Sequence, residues 1–253
     1  MVAEELEEFV EPALVISGLH FSYPDGTKAL EDVSLKVMRG ERVGLIGPNG
    51  AGKTTLFLAI CGVLEPSAGH MLVLGKPVTN RNFRPEVGLV FQNPDDQLFC
   101  PSVRDDVAFG LRNMGLLKGE VEARATEALS IVGCLELAAR PVHHLSEGEK
   151  RMVSIAGVLA MQPRLIIYDE PSANLDIRAR RNVIRLLQAS KETMLIASHD
   201  LELILEVCGR VVLIDRGHII ADGNPRQIMG DDRLMEAHGQ EKPHSLVPHL
   251  HGE

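Results

Sequence analysis

A run of eight residues early in the chain has the composition and spacing of a phosphate-binding loop. It reads Gly47-Pro48-Asn49-Gly50-Ala51-Gly52-Lys53-Thr54 and matches G-x-x-x-x-G-K-[ST] at every fixed position. The glycines let backbone N–H groups turn inward around a phosphate, and the dipole of a following helix adds positive charge. Lys53 is expected to bridge the β- and γ-phosphates, and Thr54 to place its hydroxyl on Mg²⁺. The run predicts a nucleoside triphosphate site, with Thr55 as a further binding residue.

Acidic side chains follow a second apolar strand, at residues 165–168. Asp169 and Glu170 are adjacent there, and two carboxylates at a strand end are costly unless they are solvated or used. Asp169 suits an indirect ligand of Mg²⁺, and Glu170 suits a base that polarises the attacking water. His199 ends the next strand, so sheet order is expected to bring it to the same crevice. A solvated carboxylate pair and a structural histidine are the alternatives.

Alternating strands and helices are needed to position these residues. Apolar runs, turn residues and helical spacing predict a largely parallel, doubly wound sheet with antiparallel strands at one side and a helical insert in the middle third. The predicted strands are 13–21, 33–37, 42–46, 87–91, 165–168 and 193–197, with a hairpin formed by 211–215 and 218–221. The predicted helices are 55–61, one starting at Ser102, 121–132, 146–161, 177–189 and 201–208.

Composition favours a soluble α/β protein and disfavours several other classes. The chain has 253 residues, 45% of them hydrophobic, and a net charge of −9. No apolar run approaches the ~18 residues of a membrane span, and residues 1–11 lack the apolar centre of a secretory signal, so no direct membrane insertion is expected. The absence of a basic tract argues against nucleic acid. The 4 cysteines are widely spaced, which favours reduced thiols over a disulfide or zinc framework.

These residues, in this order, resemble the ATP-binding cassette (ABC) family over roughly residues 14–223. The distinguishing motif is a signature before the acidic strand, here Leu145-Ser146-Glu147-Gly148-Glu149. The resemblance implies a P-loop ATPase that binds ATP and Mg²⁺, with a RecA-like core, an antiparallel β subdomain and a helical subdomain at about 94–162. It implies an ATPase domain at 13–223 and a His-rich extension at 224–253.

Family analogy assigns further roles by position. Tyr23 is expected to stack on adenine, Gln92 to sense Mg²⁺ and water from the Q-loop, and residues 172–176 to form the D-loop between subunits. Two ATPase subunits pair head to tail in the family, and each ATP lies between the P-loop of one and the signature of the other. Ser146, Gly148 and Glu149 are therefore expected to contact ATP bound by the partner. The residues leave open whether the two subunits are identical.

The signature departs from the usual L-S-G-G-Q. Ser146 and Glu149 have the spacing of a capping box, so a helix is expected to begin there and to face the partner's γ-phosphate. Glu147 replaces a glycine and adds a negative charge near a phosphate-binding turn. It is expected to point outward, with Lys150 and Arg151 offsetting its charge.

A longer stretch after Gln92 narrows the resemblance. Residues 91–99 and 101–110, with 23–27 and 155–161, look like the ATPase of energy-coupling factor importers, in the cobalt and nickel branch. That branch implies integral-membrane coupling and substrate-binding subunits and a peripheral position on the cytoplasmic face of the membrane. Four aspartates are expected to form an acidic rim that pairs with arginines of the membrane partner: Asp95, Asp96, Asp105 and Asp106.

Other functions stay open on the sequence alone. They are the ATPase of an importer for another small substrate such as a vitamin, a non-transport ABC ATPase acting in DNA repair or translation, and a small-molecule P-loop kinase. The end of the chain gives slight support to a metal cargo, because imidazoles suit Co²⁺ and Ni²⁺. Its histidines are His238, His244, His249 and His251. A loosely held polar tail and a small appended element, from about residue 230, are the competing interpretations.

Overall fold

The structure, a computed structural model, describes residues 11–79 and 82–247. In these residues the strands are β1 Pro12–Ser22, β2 Lys28–Met38, β3 Arg42–Ile46, β4 Ala68–Val73, β5 Lys76–Pro77, β6 Val87–Val90, β7 Leu165–Asp169, β8 Thr193–Ala197, β9 Arg210–Asp215 and β10 His218–Gly223. One sheet is antiparallel, in the order β2-β1-β4-β5, and the other has the order β10-β9-β3-β8-β7-β6. In the second sheet every neighbouring pair is parallel except β10 with β9.

The helices of the described residues fall into three groups. The sheet is flanked by α1 Lys53–Ile60, α5 Ile177–Ala189 and α6 Leu201–Val207. Between β6 and β7 the chain forms α2 Val103–Asn113, α3 Lys118–Ile131 and α4 Glu147–Ala160. Two short helices follow β10, α7 Pro225–Ile228 and α8 Asp232–Ala237. Among all the described residues, no helix is both long and apolar enough to cross a bilayer.

The central strands of the mixed sheet, β3, β7, β8 and β9, are buried on both faces, which explains why they are apolar runs rather than alternating ones. Along β7, Ile166 and Tyr168 pack into the cluster that contains α2 to α6, while Leu165 and Ile167 pack into the cluster with α1 and the antiparallel sheet. Successive side chains of β7 therefore pack alternately into the two clusters of the hydrophobic core. The predicted fold class is confirmed.

Strand order decides where the functional residues meet. The strands β9, β3, β8 and β7 are parallel neighbours, so their carboxyl ends lie at one edge of the sheet. Gly47 follows β3, Glu170 follows β7, and His199 comes shortly after β8. This order brings His199 to the same crevice as Asp169 and Glu170, as expected from the sequence.

Most predicted elements are present, with small differences at their ends. The helix after the P-loop begins at Lys53 rather than at residue 55, and β1 and β2 pair well beyond their apolar centres. Two strands were not predicted, β4 and β5. The first half of β4, Ala68 to His70, is exposed and not β-branched, so it carries no alternation signal.

The residues after β10 pack onto the core as a small appended element. Met229 and Met235 are fully buried, and His238 Nδ1 lies 2.8 Å from Asp215 Oδ2 at the end of β9. The interpretation as a loosely held tail is therefore wrong for residues 230–240, because two buried methionines and a histidine contact hold them. His249 and His251 lie outside the described residues. The domain boundaries stay a prediction.

Candidate nucleotide-binding site

The P-loop is shaped by close backbone contacts on both of its sides. Gly47 has φ 147°, and a Cβ there would lie 1.9 Å from the carbonyl oxygen of Ile214. Gly52 has φ 108°, and its Cβ would lie 2.5 Å from the carbonyl oxygen of Ala29. Both positions therefore require glycine, since any side chain would displace the strands on either side. Helix α1 begins directly after Gly52, which aims its N–H groups into the loop.

Lys53 lies inside this loop. Its Nζ donates hydrogen bonds to the carbonyl oxygens of Gly47 at 2.7 Å and Pro48 at 3.0 Å. Burial lowers the pKa of Lys53, and the nearby carboxylates of Glu170 and Asp169 oppose that shift. The two hydrogen bonds hold the amino group of Lys53 at the centre of the site.

The two carboxylates at the end of β7 are brought to the same place. Thr54 donates its hydroxyl to Asp169 Oδ2 at 2.8 Å, so the P-loop and the acidic strand are joined directly. Glu170 has φ 50°, unusual for a residue with a side chain, and its N–H donates to the carbonyl oxygen of Ala197. Burial raises the pKa of both Asp169 and Glu170. A raised pKa makes a buried carboxylate a better proton acceptor than an exposed one.

His199 connects the carboxylate to the tip of the P-loop. Its backbone N–H donates to Glu170 Oε2 at 3.1 Å, and its ring Nε2 lies 2.8 Å from Asn49 Oδ1. The same Nε2 lies 3.7 Å from Glu170 Oε1. The other oxygen contact of this carboxylate is Ser198 Oγ, at 3.4 Å from Oε2. Glu170 Oε1 is buried and makes no hydrogen bond within the described residues.

These residues surround a cavity of about 310 Å³. Tyr23 stands at one end, with its hydroxyl 2.9 Å from Thr55 Oγ1 and its ring in an edge-to-face contact with Phe21. The Tyr23 side chain is 38% exposed, so it is free to pack against a ligand ring. The predicted site residues that line this cavity are Tyr23, Asn49, Gly50, Ala51, Gly52, Lys53, Thr54, Thr55, Gln92, Asp169, Glu170 and His199.

The signature residues do not line the cavity of the P-loop. Ser146, Gly148 and Glu149 line a different cavity, of about 540 Å³, beside the start of α5. Ser146 and Glu149 form the predicted capping box, with the Glu149 N–H 3.3 Å from Ser146 Oγ and the Ser146 N–H 2.8 Å from Glu149 Oε2. One chain therefore does not bring the signature to its own P-loop.

Glu147 points outward, as expected from the sequence. Its side chain is 56% exposed, and its Oε1 lies 3.3 Å from Lys150 Nζ. Lys150 therefore offsets the charge of the carboxylate at the start of α4, where Glu147 also lines the cavity of the signature residues.

Several contributors to the site were not predicted. Thr27, Lys28 and Ala29 line the cavity beside Tyr23, and the turn after Tyr23 was the sequence signal that places them there. Asp200, next to His199, accepts from Arg180 Nη2 at 2.8 Å and from Ser172 Oγ at 3.3 Å. Although burial opposes it, the hydrogen bond from Arg180 lowers the pKa of Asp200. No short-range pattern links residues so far apart in sequence.

Known proteins resemble this chain in sequence and in fold. A sequence model of the family described as "ABC transporter" matches residues 30–173. The chain belongs to the ABC transporter family. It is accordingly an ABC ATPase, the ATP-hydrolysing subunit of a transporter, and the alternative of a small-molecule kinase is wrong.

Individual relatives of this ABC ATPase cover most of its length. A putative ABC transporter ATP-binding protein of Synechocystis sp. is 51% identical over 243 residues, 96% of this chain and 86% of the relative. The energy-coupling factor transporter ATP-binding protein EcfA of Methanothermobacter thermautotrophicus is 49% identical over 225 residues, 86% of this chain and 72% of the relative. The solved structure of cbiO1 from Clostridium perfringens, part of the complex cbiONQ, has a TM-score of 0.79 at 37% identity, covering 90% of this chain and 94% of that one.

Proposed function

We propose that this chain energises an energy-coupling factor importer whose cargo is cobalt or nickel ions. The observation that carries the proposal is the extended likeness to EcfA and to cbiO1, over 86% and 90% of the chain. EcfA is by name the ATP-binding protein of an energy-coupling factor transporter, and cbiO1 is part of the complex cbiONQ. Residues 91–110, which resemble the cobalt and nickel branch, lie at the surface where a membrane partner would dock.

The site fits ATP with a magnesium ion. A hydroxyl and a carboxylate already converge where Thr54 donates to Asp169, and Gln92 lines the same cavity. Mg²⁺ prefers oxygen ligands and is usually held by one or two protein groups together with substrate phosphates and water. Thr54 and Gln92 would bind the ion directly, and Asp169 would be an indirect ligand. When bound, the ion neutralises charge that develops on the phosphate oxygens.

Glu170 is the base in the proposed reaction. Its Oε1 accepts the proton of the water that attacks the γ-phosphorus, while Oε2 stays fixed by the His199 N–H. His199 is proposed to orient the γ-phosphate, since its ring lies between Glu170 and the tip of the P-loop. Lys53 would bind the β- and γ-phosphate oxygens, and Tyr23 would stack on the adenine. Together these groups position the phosphate and the water for in-line attack.

The proposed working unit is a head-to-tail dimer. The signature residues Ser146, Gly148 and Glu149 lie in a different cavity from the P-loop, so a second subunit must supply them if they contact ATP. The start of α4 is a capped helix N-terminus, which suits a phosphate across such an interface. Ile177, 88% exposed at the start of α5, is an apolar side chain that a partner subunit would cover.

The proposed membrane partner docks in a groove beside the Q-loop. The groove is an apolar cavity of about 220 Å³ whose walls include Phe83, Phe99 and Phe109. Phe99 is 65% exposed and makes an edge-to-face contact with Phe109 at 4.8 Å between ring centroids. Exposed aromatic side chains at a groove are typical anchors for a partner helix. Docking there would hold the chain peripherally at the cytoplasmic face of the membrane.

The predicted acidic rim of this groove needs correction. Asp106 is buried and accepts the backbone N–H groups of Phe99 and Cys100 at 3.0 to 3.1 Å, so it shapes the loop instead of pairing with a partner. Asp105 is bound by Ser102 and Arg112, which lowers its pKa. The Asp106 carboxylate satisfies two free N–H groups of a tight loop, and the Asp105 carboxylate accepts the hydroxyl of Ser102, which is the N-cap residue of α2. Asp96 is exposed and is the aspartate best placed to meet a partner's cation.

Reversal of the charge at Asp96 tests the docking surface. Asp96→Lys is expected to weaken co-purification with the membrane subunits by about tenfold, because a charge-assisted contact becomes a repulsion. The ATPase activity of the isolated chain should stay at the wild-type level. The measurement is the ratio of ATPase to membrane subunits after affinity purification in detergent.

A matched control separates this effect from general charge. Glu236→Lys makes the same charge change at an exposed position of α8, away from the groove, and should leave co-purification unchanged. Metal analysis of the ligand retained by the wild-type complex tests the cargo at the same time. A vitamin in place of cobalt or nickel would refute the metal cargo, and equal recovery of Asp96→Lys and the wild type would refute docking at Asp96.

A further inference from the structure

Helix α4, the signature helix, binds the backbone of the Q-loop, the segment around Gln92, through a buried arginine. Arg151 is 1% exposed, although arginine is among the least often buried residues. Its Nη1 donates to the carbonyl oxygen of Phe91 at 2.6 Å, and its Nη2 donates to the carbonyl oxygen of Gln92. The two hydrogen bonds fix two consecutive peptide groups, including the one that carries the Gln92 side chain.

Two more contacts join the same loop to the same helix. Gln97 accepts the Phe91 N–H at 3.2 Å and donates to the carbonyl oxygen of Ser154 at 2.8 Å. Lys150 Nζ lies 2.7 Å from Asp95 Oδ1. Phe91 therefore has its N–H and its carbonyl oxygen both bound to groups held by α4, and the loop has one defined position relative to the signature helix.

The arginine is placed at an energetic cost that a packing role alone does not require. Its Nε is buried and has no hydrogen-bond partner among the described residues. Burial lowers the pKa of Arg151, and the charges of Glu147, Asp169 and Glu170 oppose that shift. A buried charge that is incompletely paired destabilises the folded state. An apolar side chain of similar volume is often tolerated better at such a position. The positive charge of Arg151 also favours the ionised form of Asp169 in the nucleotide cavity.

Arg151 also connects the Q-loop to the altered signature. A small cavity of about 120 Å³ is lined by Gln92, Arg151 and Glu147. Lys150 bridges Glu147 Oε1 and Asp95 Oδ1, so the carboxylate that replaces the usual glycine is tied to the Q-loop as well. Glu147 therefore takes part in the link between the two motifs.

We propose that Arg151 is a positioning residue for hydrolysis: it fixes the Phe91–Gln92 backbone and thereby aims the Gln92 side chain into the nucleotide cavity. Through Arg151, a displacement of the signature helix moves Gln92. The inference rests on the proposed role of Gln92 and does not depend on which cargo the transporter carries.

A double-mutant cycle on ATP hydrolysis by the purified full chain tests this inference. Arg151→Met keeps the volume and removes both hydrogen bonds. It is expected to lower kcat by about tenfold or more while leaving the KM for ATP within about twofold, since only the aim of Gln92 is lost. In the Gln92→Ala background, Arg151→Met should have no further effect on kcat. Arg151→Lys, which keeps the charge and can reach one carbonyl oxygen, should restore part of kcat.

The outcomes separate the possible failures. If Arg151→Met and Gln92→Ala lower kcat multiplicatively, Arg151 acts independently of Gln92 and the inference is overturned. A wild-type kcat for Gln92→Ala would remove the role of Gln92 and the inference with it. Arg104→Met, which removes an exposed pair between Arg104 of α2 and Glu122 of α3, is the matched control and should keep the wild-type kcat. If Arg151→Met does not fold, the same cycle with Arg151→Lys decides between these outcomes.

Discussion

Glu170→Gln is expected to reduce ATP turnover by this chain by about 100- to 10,000-fold, because the amide cannot accept the proton of the attacking water. Gln has the same shape, so the contacts of Oε2 with the His199 N–H and Ser198 can be kept. ATP binding should therefore be retained, and ATP that is bound but not hydrolysed should favour the closed dimer. The measurements are steady-state phosphate release, calorimetric ATP affinity and the sedimentation of the variant with ATP.

A stability measurement on the same variant shows that any loss of turnover is not a loss of fold. Burial raises the pKa of Glu170, so the folded state prefers the neutral acid and the ionised side chain destabilises it above that pKa. Glu170→Gln is expected to raise the midpoint of thermal unfolding at neutral pH. The gain should shrink as the pH falls towards the ordinary pKa of glutamate, where wild-type Glu170 is protonated in both states.

The control for this variant is Glu127→Gln, which makes the same chemical change at an exposed position of α3. It should have the turnover and the pH-dependent stability of the wild type. Wild-type turnover by Glu170→Gln would remove Glu170 from the role of base, whatever the stability data show.

Lys53→Ala is expected to weaken ATP binding by about 10- to 100-fold, since it removes the buried cation at the centre of the P-loop. The ammonium group also bonds the carbonyl oxygens of Gly47 and Pro48, so the loop loses an internal contact together with its ligand for the phosphates. Isothermal titration calorimetry with ATP measures the change.

Lys76→Ala serves as the control for this binding measurement. Lys76 is exposed on β5 and does not line the nucleotide cavity. Its replacement should leave the Kd for ATP unchanged. An unchanged Kd for Lys53→Ala, in a variant that unfolds at the wild-type temperature, would contradict the assignment of Lys53 to the phosphates.

The parts of this site that are local in sequence could be predicted. Gly47 and Gly52 belong to one short loop, and the backbone contacts at both positions require glycine, so the motif carries its own geometry. The acids at the end of β7 and the histidine after β8 were placed by a general rule for parallel sheets, and the capping box at Ser146 follows from spacing alone.

The parts that depend on contacts between distant segments could not be predicted. Arg151 appeared in the sequence only as a charge that offsets Glu147, because nothing near it indicates that its side chain is buried against the Q-loop. Asp106 looked like one of several exposed acids until the loop at Phe99 was seen to donate its N–H groups to it. In both cases tertiary contacts outweigh the ordinary preference of a charged side chain for water.

ATP-dependent uptake of metal ions tests the central claim most directly. The wild-type chain is reconstituted in vesicles with its membrane subunits, ATP is supplied on the side of this chain, and accumulation of cobalt and nickel ions is measured. We expect uptake that requires ATP and falls to the background level with Glu170→Gln. Metal uptake that proceeds equally with Glu170→Gln, or ATP-dependent transport of a different cargo without metal accumulation, would contradict the account.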